Sequence, residues 1–125
     1  MTELAVGLEG EAERTVTAED TAEHFSSGTV PVFATPALLA MMEEAAVNAV
    51  QRFLDEGSTT VGTWAELEHL AASKIGANVR AIAQLLSADG RVLEFACEAY
   101  EDDKLIGRGR HRRAIVDTER FLAKL

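Results

Sequence analysis

Glu43 and His69 are ionisable residues at positions where the surrounding pattern is apolar. Beyond Thr35 the apolar residues recur at helical spacing. At about 100° per residue, Leu38, Leu39, Met42, Ala45, Ala46, Val47, Ala49, Val50, Phe53 and Leu54 form one broad arc. Glu44, Asn48, Gln51, Arg52 and Asp55 share the polar side, but Glu43 lies inside the arc. A carboxylate there loses hydration and needs a compensating partner. Residues 59–72 alternate instead, with Val61, Ala65, Leu67 and Ala71 on one face. His69 falls on that same face, while Trp64, Glu66 and Glu68 take the other. A lone histidine on an apolar face is ordinarily a hydrogen-bonded core residue. A histidine and a glutamate that break pattern on facing elements are a general acid–base pair that can work near neutrality.

Three further positions could serve such a pair. Thr35 brings a hydroxyl to the start of the helix, where it is expected to be the N-cap with Pro36 at the first helical position. That helix end offers free N–H groups and a positive dipole end to an anion or a polarised carbonyl. Gly62 lies seven residues before His69, and a glycine inside a strand marks a bulge or the close approach of a ligand. Late in the chain Arg108, Arg110 and Arg112 alternate onto one face, and Gly107, Gly109, His111 and Arg113 onto the other. The two glycines leave room for Arg113 to reach a substrate; the competing reading of these arginines is a solvated face paired with nearby carboxylates. No role is assigned to His24 or His111. Their spacing with His69 fits no metal motif, and HExxH, CxxC pairs, phosphate loops and GxSxG are all missing, so neither metal nor cofactor is expected.

The elements that must position these residues follow from the same patterns. An opening strand over 7–18 precedes a polar, turn-like stretch at 19–31. The helix runs from Pro36 to about Glu56 and stops at Gly57. Strands are expected at 59–72, 76–87, 91–101 and 104–117, with hairpin turns at SADG (87–90) and EDDK (101–104) and a short helix at 118–124. This order predicts an α+β fold, one curved antiparallel sheet wrapped around a single long helix. The main rival, a cone-shaped α+β fold, needs several leading helices.

With 125 residues and 47% hydrophobic content, the chain reads as one domain spanning 1–125, with enough apolar surface to favour a homodimer or higher oligomer. The net charge of -9 argues against general nucleic-acid binding. The bases cluster at 104–120 (Lys104, Arg108, Arg110, Arg112, Arg113, Arg120), where they could meet a small polyanion such as the phosphates of coenzyme A. The single Cys97 sits in an alternating apolar run and reads as a buried small hydrophobe. The N-terminal MTELAVGLEG does not resemble a signal peptide, and no run approaches the ~20 apolar residues of a membrane span. A cytoplasmic protein is expected.

In combination, VFATPALLAMMEEAA (32–46), VGTWAELEHLAAS (61–73) and GRGRHRRAIVD (107–117) resemble the fluoroacetyl-CoA thioesterase-like branch of the hot-dog superfamily. The likeness covers most of the chain from Val32 onward. It implies a hot-dog fold and hydrolysis of an acyl-CoA thioester. By position it makes Thr35, Glu43 and His69 the catalytic residues and Gly62 and Arg113 substrate contacts. Family sites sit at a dimer interface, so the resemblance allows Thr35 and His69 to come from different chains. The sequence departs from the family at Pro36, where the fluoroacetyl enzyme has glycine, and in a shorter leading segment whose only counterparts to an aromatic lid are His24 and Phe25. The hydrolytic chemistry therefore carries over more fully than the fluoroacetyl lid. Whether Glu43 or Thr35 is nucleophile or base stays open. An enoyl-CoA hydratase or dehydratase, or a domain that binds acyl-CoA without turnover, are the alternatives.

Overall fold

The computed structural model describes residues 4–125. Met1, Thr2 and Glu3 begin the stretch read above as unlike a signal peptide and lie outside the described residues. Five strands, β1 (Glu9–Thr15), β2 (Ser58–His69), β3 (Asn78–Asp89), β4 (Val92–Glu101) and β5 (Lys104–Asp117), form one antiparallel sheet in the order β1-β3-β4-β5-β2. The long helix α2 (Thr35–Val50) crosses its inner face, chiefly against β1 and β3. Two shorter helices, α1 (Ala22–Phe25) and α3 (Thr118–Ala123), lie in the stretch before α2 and at the C-terminal end. This is the sheet-around-helix arrangement expected from the order of elements, the hot-dog fold.

Local chemistry explains most boundaries. The β3–β4 and β4–β5 hairpins turn on two residues each, with Gly90 (φ 61°) and Asp102 (φ 52°) in the left-handed region that such tight turns require. The helix ends earlier than the expected Glu56, because the chain tightens into a 3₁₀ turn over Gln51–Phe53 after Val50. Gly57, at φ 85°, then redirects it into β2. The stretch at 19–31 holds more structure than expected. Asp20 is buried, pairs with Arg14, and accepts from the Thr17 backbone N–H at 2.8 Å. Its backbone oxygen accepts from Ala34 at 2.9 Å, tying this strap to the start of α2.

One expectation about that start is overturned. Thr35 is not the N-cap: Ala34 takes that position in extended conformation and offers no side-chain cap. Thr35 is already helical, which frees its hydroxyl to point across to β2.

The core joins Leu38, Met41, Met42 and Val50 of α2 to Leu85, Leu93, Phe95 and Ile106 of the sheet. Cys97 is buried among them, and burial pushes its thiol pKa up to about 12. Ala45, Ala46 and Ala49 are fully buried on the helix, and their small side chains let β1 lie against its backbone. Gly10 sits at that crossing, where a Cβ would collide with the Ala45 carbonyl oxygen and the Ala49 nitrogen. Neither can move without bending α2. Gly10→Ala is therefore expected to lower unfolding free energy by about 1–3 kcal/mol or more, measured by denaturant titration.

Candidate active site

The strand β2 is an edge strand, and its middle is irregular. Thr60 and Gly62 pair with Ile115 and Arg113 and share their inner face. An extra residue, Thr63, then interrupts the register between Gly62 and Trp64. Beyond this bulge Ala65, Leu67 and His69 pair with His111, Gly109 and Gly107, again on the inner face. Uniform alternation would have put Gly62 and His69 on opposite faces. The bulge puts them on the same one and turns Val61, opposite Ala114, outward, contrary to the sequence expectation for Val61.

Gly62 lies within a cluster of polar side chains. Arg113 is 7% exposed, and its guanidinium is held on three sides. Its Nε donates to Thr60 Oγ1 at 2.8 Å and its Nη2 to the Thr60 carbonyl at 3.0 Å. Its Nη1 donates to Glu43 Oε2 at 3.3 Å and to His111 Nε2 at 3.0 Å. Burial pulls the Arg113 pKa down, opposed by the Glu43 charge. The Glu43 side chain is 41% exposed, less dehydrated than its place in the apolar arc suggested. A Cβ on Gly62 would stand 2.7 Å from Glu43 Oε2, so only glycine leaves the carboxylate this position.

The second group lies at the N-terminal end of α2, about two turns from Glu43. Thr35 Oγ1 is 2.8 Å from His69 Nδ1, within one chain. The expectation that these two could come from different chains is corrected: the helical Thr35 hydroxyl and the end of β2 face each other directly. His69 packs edge-on to Phe33 at 6.4 Å. Its Nε2 is buried without a hydrogen-bond partner. Burial lowers the His69 pKa, partly opposed by the Ala71 backbone, so the ring is neutral near pH 7. A cleft of about 350 Å³, lined by Ala22, Val32, Phe33, Thr35, His69, Leu70 and Ala71 among others, opens beside this pair.

The structure thus gathers the sequence-selected residues into two groups. Glu43, Gly62 and Arg113 form one, Thr35 and His69 the other. Thr35 and Glu43 are eight residues apart on one helix, about 12 Å along its axis, and Gly62 and His69 are roughly 20 Å apart along β2. Sequence reasoning passed over Thr60 and left His111 unassigned, although strand parity had already put His111 on the Arg113 face. Arg108, Arg110 and Arg112 belong to the outer face. There they pair with Glu68 at 3.0 Å and with Glu94 at 3.5 and 2.9 Å, and Arg112 stacks 4.4 Å over Trp64. A hollow of about 550 Å³ lies among these outer charges at Glu66, Glu98 and Arg108, away from both groups. His24 packs against Phe25, and among the described residues no cluster of three His, Cys, Asp or Glu could hold a metal.

Comparison with known proteins identifies the family of the chain. The family model described as fluoroacetyl-CoA-specific thioesterase (FlK) matches residues 16–119. The fluoroacetyl-CoA thioesterase of Streptantibioticus cattleyicolor is 37% identical over 94 residues, covering 75% of this chain and 68% of that protein. The solved structure of FlK superposes with a TM-score of 0.91 at 31% identity, over 98% of this chain and 95% of that one. A thioesterase superfamily member from Thermus thermophilus also gives 0.91, at 33% identity, over 99% and 92%. A threonine-to-serine variant of FlK, solved with acetyl-CoA, gives 0.90 at 31% identity, over 97% and 96%. The chain belongs to the fluoroacetyl-CoA-specific thioesterase family.

Proposed function

We propose that this chain hydrolyses an acyl-CoA thioester to a carboxylate and free coenzyme A, with Glu43, His69 and Thr35 as the catalytic residues. The observation that carries the reading is the pairing, on a thioesterase fold, of a neutral His69 hydrogen-bonded to Thr35 with a carboxylate held by Arg113 beside Gly62. Attack on the carbonyl carbon moves charge to its oxygen, and the Gly62 backbone N–H and the Arg113 cation face that charge. Glu43 either attacks through a transient anhydride or draws a proton from water. His69, oriented by Thr35, relays a proton to the departing thiolate. Water supplies the hydroxyl of the acid and the proton of the thiol. The apolar side chains in the cleft beside His69, among them Val32 and the exposed Leu70, suit a substrate with an apolar arm.

The working unit is read as a homodimer of the single domain 1–125. Separation of the two groups within one chain supports this, as does the 12-residue edge strand β2, most of whose central residues are exposed. Antiparallel pairing of two β2 strands about a twofold axis through Glu66 keeps inner faces opposite inner faces and sets His69 of one copy opposite the Gly62–Thr63 bulge of the second copy. Each composite site then takes Thr35 and His69 from one copy and Glu43, Gly62 and Arg113 from the other. No described helix is long and apolar enough to cross a membrane, and the buried, unpaired Cys97 asks for no oxidising compartment, which fits the cytoplasm.

Glu43→Ala and His69→Ala are each expected to cut kcat by about 100-fold or more while leaving the fold intact, read by thiol release from a panel of acyl-CoAs and by circular dichroism. Wild-type release in both would remove the assignment. The two inactive variants, mixed at equal concentration and allowed to exchange subunits, should regain about a quarter of wild-type activity. Half the dimers are then mixed, and each mixed dimer holds one intact site of its two. Sites contained within one chain would regain none. Because burial lowers the His69 pKa, the neutral ring persists into mild acid, and the acid limb of kcat/KM should fall below the ordinary imidazole value of about 6.5.

A further inference from the structure

His111 is 3% exposed, and each of its ring nitrogens meets a neighbour with only one hydrogen-bonding role. Nδ1 lies 2.8 Å from the Trp64 carbonyl oxygen, which can only accept, so Nδ1 carries a proton. Nε2 lies 3.0 Å from Arg113 Nη1, which can only donate, so Nε2 presents its lone pair. The two bonds together require a neutral imidazole in the Nδ1–H form. A second proton would set an N–H against the guanidinium. The other charged group facing the ring is Glu43, 3.8 Å from Nε2, and the Phe95 ring lies beside it with centroids 6.4 Å apart.

These bonds join two features of the site. The Trp64 carbonyl is the first beyond the Thr63 bulge, and the bulge decides that Gly62 and His69 share a face. The Arg113 Nη1 that His111 engages is the same nitrogen that reaches Glu43. With Nε and Nη2 on Thr60, the bond to His111 fixes the last free edge of the guanidinium plane.

We propose that His111 is a positioning residue for the thioesterase reaction: as a neutral Nδ1–H imidazole it pins the bulge that presents Gly62 and holds Arg113 against Glu43. It does not itself exchange a proton, because both nitrogens are committed. The proposal rests on the reading of Glu43 and Gly62 as reacting groups, but the state of the ring can be tested without turnover. Heteronuclear NMR of the histidine ring nitrogens should show His111 protonated at Nδ1 and bare at Nε2 between about pH 6 and 8. A ring protonated at Nε2, alone or together with Nδ1, overturns the proposal even if the enzyme is fully active.

Kinetics then test the positioning. His111→Asn keeps a donor for the Trp64 carbonyl but has nothing at the Nε2 position. It should lose about 100-fold in kcat, with KM within about threefold and the melting temperature near that of wild type. His111→Gln places an amide oxygen near the Nε2 position and should recover part of the loss. Wild-type kcat in His111→Asn overturns the proposal. So do equal losses in both variants that track their melting temperatures, since that pattern marks a merely structural residue. An inactive wild-type protein with the stated ring tautomer would remove the proposed reaction and leave the Arg113–His111 arrangement standing.

Discussion

The site is organised around one unfavourable burial. A guanidinium taken out of water keeps its charge, so its N–H groups and its cation must both be answered by the protein. Arg113 is answered by Thr60 on the neighbouring strand, by His111 two residues back on its own strand, and by Glu43 on the helix. The requirement spreads outward from there. Glu43 can approach only because position 62 has no side chain. His111 can accept from Arg113 only because its other nitrogen has the Trp64 carbonyl as a partner. What reads as four separate polar residues is one compensated charge, and its loss would leave a buried cation or a stranded carboxylate.

The same strands carry two unlike sets of arginines. Arg108, Arg110 and Arg112 lie on the outer face of β5, about half exposed, and pair with Glu68 and Glu94 across the neighbouring strands. Such pairs are worth little in water and mainly keep the face soluble. Arg113, one residue further on, is buried. The contrast comes from strand parity alone, and it separates the buried arginine beside Glu43 from three that are paired on the outer face.

The proposed reaction calls for acid–base groups and a polarising group at one carbonyl, yet within one chain they are divided between the start of α2 and its middle. Thr35 and His69 are close enough to act as a unit, and so are Glu43, Arg113 and Gly62. The proposed pairing of β2 edges resolves the separation with no change inside either group. It also gives the extended edge strand a function other than indiscriminate association.

Much of this was legible in the sequence. The alternation of the last four strands, their tight turns and the long apolar helix determined a sheet around one helix, because periodicity reports directly which side of an element faces the core. The pattern breaks at Glu43 and His69 likewise marked real departures, and His69 kept its expected face because the strand is regular after Thr63. Tertiary structure alone decided three things. The bulge that Gly62 signalled falls at Thr63, and it moved Val61 outward and Gly62 inward, since one extra residue reverses parity and a glycine alone does not say on which side. Thr35 became a helical residue bonded to His69 rather than a cap, since the cap position depends on how the strap before it docks, through Asp20, onto Ala34. His111 has Arg113 beside it on its own strand, but it gained Trp64 and Phe95 from the strands on either side of β5, and those contacts lie far from it in the chain. Local pattern fixes the direction of a side chain; what it meets there is settled only when distant segments pack.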